Sequence, residues 1–280
     1  MASGVRWVVS VFITTGICTL LSFSQCFAGA WTMEEGKLYE RLGFNFYYAD
    51  SRFDMKNDNG NFKEFKDFNV SNYFEYGITS RFTFINTLYY KWLQKEEDLE
   101  DFSSDNFGDM DIGVKGKVAE GPWGIASVQA LVKVPGTYRN NDELPPGNGQ
   151  GDFELRGLYG KSLWPYIPGY CNFELGYRWR YGDPSNELRY LVELGMDLGR
   201  DFYGRIKLDG ILSMDDNGGE FDTSSNPAAA NSFDLGKLDL ALGYKITRAW
   251  GLEICYTPEI YGKNTTSGAT YTLALTYQTR

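Results

Sequence analysis

The sequence predicts an all-β protein, a twelve-stranded antiparallel transmembrane β-barrel of the outer-membrane type, preceded by a cleaved signal peptide. Three observations predict it. Twelve segments between Leu38 and Thr279 place apolar side chains on one face only, with a period of two. Short and long connections alternate between them, as the two ends of such a barrel require. Beyond residue 30 no apolar run approaches the ~20 residues of a membrane helix, yet 16% of the 280 residues are aromatic and the mean hydropathy is negative. A barrel strand is half polar, which averages the hydropathy away.

The first thirty residues stand apart. Arg6 is the only charge before Glu34, Trp7 to Phe23 is mostly apolar, and Ala28-Gly29-Ala30 supplies small residues for a signal peptidase. Residues 1–30 therefore read as a secretory signal cleaved before Trp31, and residues 31–280 as one barrel domain. Bulky Gln25 ahead of Cys26 argues against a lipoprotein.

The strands are expected, in order, as follows. Segments 38–50 and 65–77 end at the short Gly77-Ile78-Thr79-Ser80 turn; 81–93 and 108–118 flank the long polar Gln94–Phe107 connection and end at Ala119-Glu120-Gly121-Pro122. Segment 123–134 sets Ala126, Val128, Ala130, Val132 and Val134 against Ser127, Gln129 and Lys133. After the long Pro135–Gln150 connection come 151–162, the Trp164–Gly169 turn and 170–180, where Cys171, Phe173, Leu175, Tyr177 and Trp179 oppose Asn172, Glu174, Gly176, Arg178 and Arg180. In 187–198, Leu188, Tyr190, Val192, Leu194, Met196 and Leu198 alternate with Glu187, Arg189, Leu191, Glu193, Gly195 and Asp197. Segments 202–214, 234–245, 250–261 and 269–279 complete the set, joined by Asp215–Asn231 (long) and Ile246-Thr247-Arg248-Ala249 (short). A β-sandwich has no reason to sort its loops by parity.

Closure satisfies every backbone N–H that hydrocarbon would leave unpaired, so the apolar faces are expected to look out at lipid and the charged faces in at water. Aromatics near strand ends (Tyr76, Phe82, Trp92, Trp123, Tyr159, Trp179, Phe202, Tyr244 and Trp250) fit interfacial girdles. The last strand, with Tyr271, Leu273, Leu275 and Tyr277 on one face, resembles the C-terminal signal read by the outer-membrane assembly machinery, although the chain closes on Gln278-Thr279-Arg280.

Pairing residues at equal height gives an expected lumen. Asp109, Lys133, Asp152, Arg180 and Glu187 face inward near the external ends; Asp111, Gln129 or Leu131, Glu154, Arg178 and Arg189 follow one level down. Lys115, Arg156 and Glu174 complete the set of lumen-lining candidates. Opposite charges on neighbouring strands stabilise each other, and a bidentate Arg178–Glu154 pair is expected to be the strongest. Such a ladder can be a structural lining or a selectivity zone, and the residues alone leave both open.

Other classes are excluded or unsupported. With 27 basic against 37 acidic residues the net charge is −10, or −11 once Arg6 leaves, so nucleic acid is not an expected partner. The chain has no histidine, no Gly-x-Ser-x-Gly elbow and no His/Cys metal cluster, so neither catalysis, nor a cofactor, nor a metal site is expected. The acidic stretches Glu96–Asp101 and Asp215–Asp222 read as solvated external loops. Cys171 and Cys255 fall on non-adjacent strands and opposite faces, which forbids a disulfide.

The segments Gly108–Lys115, Val132–Gly136, Gly149–Glu154 and Glu174–Arg180 resemble the outer-membrane proteins grouped under the meta-pathway of phenol degradation, in order and spacing from about Gly43 onward. The resemblance implies a Gram-negative outer-membrane barrel for passive passage of small solutes, aromatic or hydrophobic compounds among them. It implies outer-membrane lipids, the assembly machinery and a small-molecule solute as partners. Two other readings stand beside it: a closed structural or adhesive barrel, and, less supported, a lipid-modifying barrel enzyme. Twelve strands leave a lumen between the filled eight-stranded barrel and the open porins of about sixteen, so conductance should be low, with Pro135–Gln150 a candidate to fold inward.

Overall fold

The computed structural model describes residues 29–53, 62–97, 100–139, 144–182, 184–214 and 232–279. Residues 1–28 of the expected signal and the acidic Asp215–Asp222 stretch lie outside them. Thirteen strand segments follow one another: β1 (Leu38–Arg52), β2 (Phe62–Gly77), β3 (Phe82–Glu97), β4 (Asp101–Phe107), β5 (Met110–Gly121), β6 (Gly124–Val134), β7 (Asp152–Ser162), β8 (Gly169–Arg180), β9 (Glu187–Leu198), β10 (Phe202–Ser213), β11 (Asp234–Lys245), β12 (Trp250–Lys263) and β13 (Thr266–Gln278). Apart from β4 and β5, each pairs antiparallel with its sequence neighbours, and β1 pairs with β13 from Tyr39↔Gln278 to Arg52↔Thr266, closing the sheet. Because β4 and β5 both pair with β3, they share one place in the wall. The result is a closed twelve-stranded antiparallel barrel.

The one departure from the expected strands is Gln94–Phe107, read above as a loop. Here β3 runs on to Glu97 and β4 returns along it, from Glu96↔Asp101 to Tyr90↔Phe107. Outside the hydrocarbon a ladder needs no apolar face, so this polar hairpin carries no period-two hydrophobic signal. Gly108 then interrupts the strand. Tyr90 pairs with Phe107 but Thr87 with Asp111, so β4–β5 holds one residue more than β3 over that stretch, a bulge that re-aims Asp109.

The side-chain distribution is that of a membrane barrel. Val132, Leu175, Leu194, Ile254 and Leu273 all face outward and are exposed, Leu175 to 58%. Glu75, Lys115, Glu154, Arg178 and Glu253 are buried inside. Aromatic pairs cluster towards the two rims: Trp123 stacks on Tyr159 and Phe202 lies against Tyr244 at the short-turn end, while Phe68 meets Trp92 and Phe153 stacks on Trp179 at the other. This is a transmembrane β-barrel of the outer-membrane type. Its belt gives a direct test: Val128→Lys, near the middle of β6, is expected to cost about 2–4 kcal/mol in urea titrations of folding into lipid vesicles. A cost near zero would place Val128 away from lipid.

Candidate functional site

The candidate site is the lumen, and the strand register builds it. On β5 to β8 the rows Asp111↔Lys133, Lys133↔Asp152 and Asp152↔Arg180 lie side by side, followed by Leu131↔Glu154, Glu154↔Arg178 and Arg178↔Glu187. The sign of the charge alternates around the wall, so each cation sits between carboxylates. Lys133 binds Asp152 at 2.6 Å and Asp109 at 3.5 Å; Arg180 binds Glu187 at 3.1 Å. Arg156 bridges Glu154 at 2.7 Å and Glu174 at 2.6 Å, and Arg189 bridges Glu187 at 2.8 Å and Glu154 at 3.7 Å. Eleven of the twelve candidates thus form one ladder.

Two details correct the expectation. Arg178 and Glu154 do not form a bidentate pair. The guanidinium divides its donors, with Nε to Glu154 Oε2 at 2.8 Å, Nη2 to Asp111 Oδ1 at 3.1 Å and Nη1 towards Asp152 at 3.9 Å. Three carboxylates converge on one Arg, and a fork can only serve all of them by splitting. Glu187, placed at the level of Arg180, has Arg178 as its direct neighbour instead, because the strands of a barrel are staggered. The remaining candidate, Lys115, binds Glu75 of β2 at 3.1 Å, both fully buried. Glu75 was missed, although it lies on the polar face of an expected strand.

A second network on β1 and β9 to β12 was not foreseen either. Arg41 binds Glu253 at 2.8 Å, and Arg205 lies 3.4 Å from Asp239 and 3.8 Å from both Glu193 and Glu253. Tyr203 and Tyr170 donate to Glu253 and Glu193. Inward positions of β9 to β12 carry the same alternation as β5 to β8, which is the signal that would have found them.

Two segments enter the lumen from opposite ends. From the short-turn end, residues 29–33 run inside the barrel. Lys115 Nζ donates to the Gly29 carbonyl at 2.8 Å, Ser127 Oγ to the Ala30 carbonyl at 2.5 Å, Ala30 N to Asn172 Oδ1 at 3.1 Å and Met33 N to Thr83 Oγ1 at 2.8 Å. Trp31 packs edge-on against Tyr170 and sits over Gly160, where a Cβ would come within 2.6 Å of its ring. From the long-loop end, Leu144 is buried among Tyr47, Ala49, Phe65 and Leu93, with Phe102 against them. Tyr138 donates to Asp109, and Gly149 N donates back to the Tyr138 hydroxyl at 2.6 Å. Burial and then Asp109 push the Tyr138 hydroxyl well above its ordinary pKa, which keeps it a donor. The described part of Pro135–Gln150 therefore folds into the mouth.

Between the plug and the far wall a cavity of about 220 Å³ opens to the short-turn end, lined by Trp31, Tyr39, Tyr170, Tyr203, Arg205 and Lys245 among others. A broader concavity of about 820 Å³ lies on the outer face of β9 to β13, walled by Leu194, Ile206, Leu240, Ile254 and Leu273, and belongs to the lipid-facing surface.

No protein-family model and no curated protein matches the sequence. Among solved structures, the chain is similar to the COG4313 outer membrane channel from Pseudomonas putida F1, with 15% identity, a TM-score of 0.65, and coverage of 89% of this chain and 98% of that one. It is also similar to the NanC porin, with 10% identity, a TM-score of 0.52, and coverage of 86% and 98%. The translocator domain of the autotransporter NalP from Neisseria meningitidis matches at 11% identity and TM-score 0.51, over 88% and 89%. At these identities the likeness is one of fold.

Proposed function

We propose that this barrel lies in the outer membrane of a Gram-negative bacterium and is a narrow channel for passive passage of small solutes. The observation that carries the reading is the lumen itself. Charges of alternating sign line it at two levels, and the segments that fill it are held by hydrogen bonds and small contacts rather than by strand pairing. A merely structural barrel of this size could fill its interior with apolar side chains; an ionised wall suits small polar or ionic solutes. The likeness to outer membrane channels and porins supports the coarse assignment. The finer one, membership of the phenol meta-pathway group with aromatic solutes, is supported by the segments quoted above and by the aromatic rim of the cavity at the short-turn end, Trp31, Tyr39, Tyr170 and Tyr203. On this reading the partners are membrane lipids, the assembly machinery and the solute, and no catalytic step is involved.

Arg178→Ala and Arg180→Ala in planar bilayers test it. Removing either cation leaves Asp111, Asp152, Glu154 and Glu187 with excess negative charge, so permeability is expected to shift towards cations. Unchanged conductance and selectivity would make the ladder a scaffold only. Absence of any solute flux from correctly folded protein would favour the closed structural or adhesive barrel.

A further inference from the structure

We propose that the signal peptidase cuts this chain between Ala28 and Gly29, two residues upstream of the site read from the sequence, and that the new α-ammonium of Gly29 remains in the lumen beside Glu174. The inference does not depend on what the barrel transports. The sequence admits both sites, since the peptidase needs small residues one and three positions before the cut. Ala28 and Cys26 meet that need for a cut before Gly29, as Ala30 and Ala28 do for one before Trp31.

The barrel distinguishes them. Ala30 has no exposed surface and packs with Ile125 and Leu158. Three wall strands each present a polar side chain to the Gly29-Ala30 pair: Lys115 of β5 to the Gly29 carbonyl, Ser127 of β6 to the Ala30 carbonyl, and Asn172 of β8 to the Ala30 amide. A Cβ at Gly29 would lie 2.4 Å from the Asn172 amide group, so the position fits glycine. A cut before Trp31 would discard both residues and leave buried Ser127 and Asn172 without these partners, a cost that buried polar groups rarely bear. It would also start the chain, with its charge, against the apolar Ile125 and Leu158.

A cut before Gly29 places the charge well. The Asn172 amide that adjoins Gly29 donates to Glu174 Oε1 at 2.8 Å, so the carboxylate is one side chain away. Glu75 is held by the same Lys115 ammonium that binds the Gly29 carbonyl. A terminal ammonium there joins Lys115 and Arg156 in neutralising buried Glu75 and half-buried Glu174.

The test is the N-terminal sequence and intact mass of the protein recovered from outer membranes, with Ala30→Leu as a second arm. Ala30 is the residue just before the cut in one case and the second residue after it in the other. Expected are a mature chain beginning at Gly29 and normal processing of Ala30→Leu. A mature chain beginning at Trp31 or elsewhere, or accumulation of Ala30→Leu precursor, overturns the proposal. Because the peptidase acts before the barrel assembles, a variant that fails to fold still reports. Reductive methylation at neutral pH addresses the ammonium. It is expected to leave the Gly29 amine unmodified in folded protein and to modify it after unfolding; ready modification of the folded form overturns its placement in the lumen.

Discussion

A chain beginning at Gly36, refolded into planar bilayers, is expected to show clearly larger single-channel openings than the chain that retains Gly29–Glu35, whose conductance is low. The removed segment fills the lumen between β3, β5, β6 and β8 through four hydrogen bonds and the Trp31–Tyr170 contact. An edge-on aromatic pair contributes only about 0.5–1.5 kcal/mol beyond burial, a neutral hydrogen bond about as much and the Lys115 bond somewhat more, and once the whole segment is gone water entering the lumen takes over the freed polar groups. The wall ladders, by contrast, do not involve this segment. The barrel should therefore survive its loss and gain an aqueous path continuous with the 220 Å³ cavity. Adding Leu144→Asp should widen the path again, because an ionised carboxylate cannot remain among Tyr47, Phe65 and Leu93. Equal conductance with and without the segment would show that the constriction lies elsewhere.

The second large effect is expected at Glu154. It is 1% exposed and is approached by Arg156, Arg178 and Arg189. Glu154→Ala leaves three inward cations short of a shared partner, a change that costs about 3–5 kcal/mol when one member of a buried pair is removed. Urea midpoints of vesicle-folded protein should fall accordingly. Arg189→Ala removes the most distant of the three cations, at 3.7 Å, and should cost far less. Similar losses for the two variants would mean that the ladder is solvated well enough to screen its charges, contrary to the burial seen here.

The same contrast explains which parts of the molecule could be read in advance. Strands such as Cys171–Arg180 declare both faces in ten residues, because lipid on one side and water on the other impose opposite demands at every step. The hairpin of β3 and β4 does not, since beyond the membrane both faces meet water and the period-two signal vanishes. Inward charges on β5 to β8 were legible by parity, whereas Glu75, Arg41, Arg205 and Glu253 were legible in principle and overlooked. No local signal marks Gly29–Met33 as lumen contents, because their partners are 50 residues or more away along the chain; Pro135–Gln150 was legible as an inward loop by its length, but not Leu144 as its anchor, whose partners are spread over β1, β2 and β3.

The sequence by itself determined the number of wall positions, the face each strand turns to lipid and the inward set of ionisable groups, because these follow from a period of two and from loop lengths. Only the tertiary structure decided which carboxylate each cation binds, how Arg178 divides its donors and what occupies the lumen. Those depend on strand stagger and on contacts across the barrel, where residues distant in the chain meet in a confined space and the geometry of closure, rather than local preference, selects the partner.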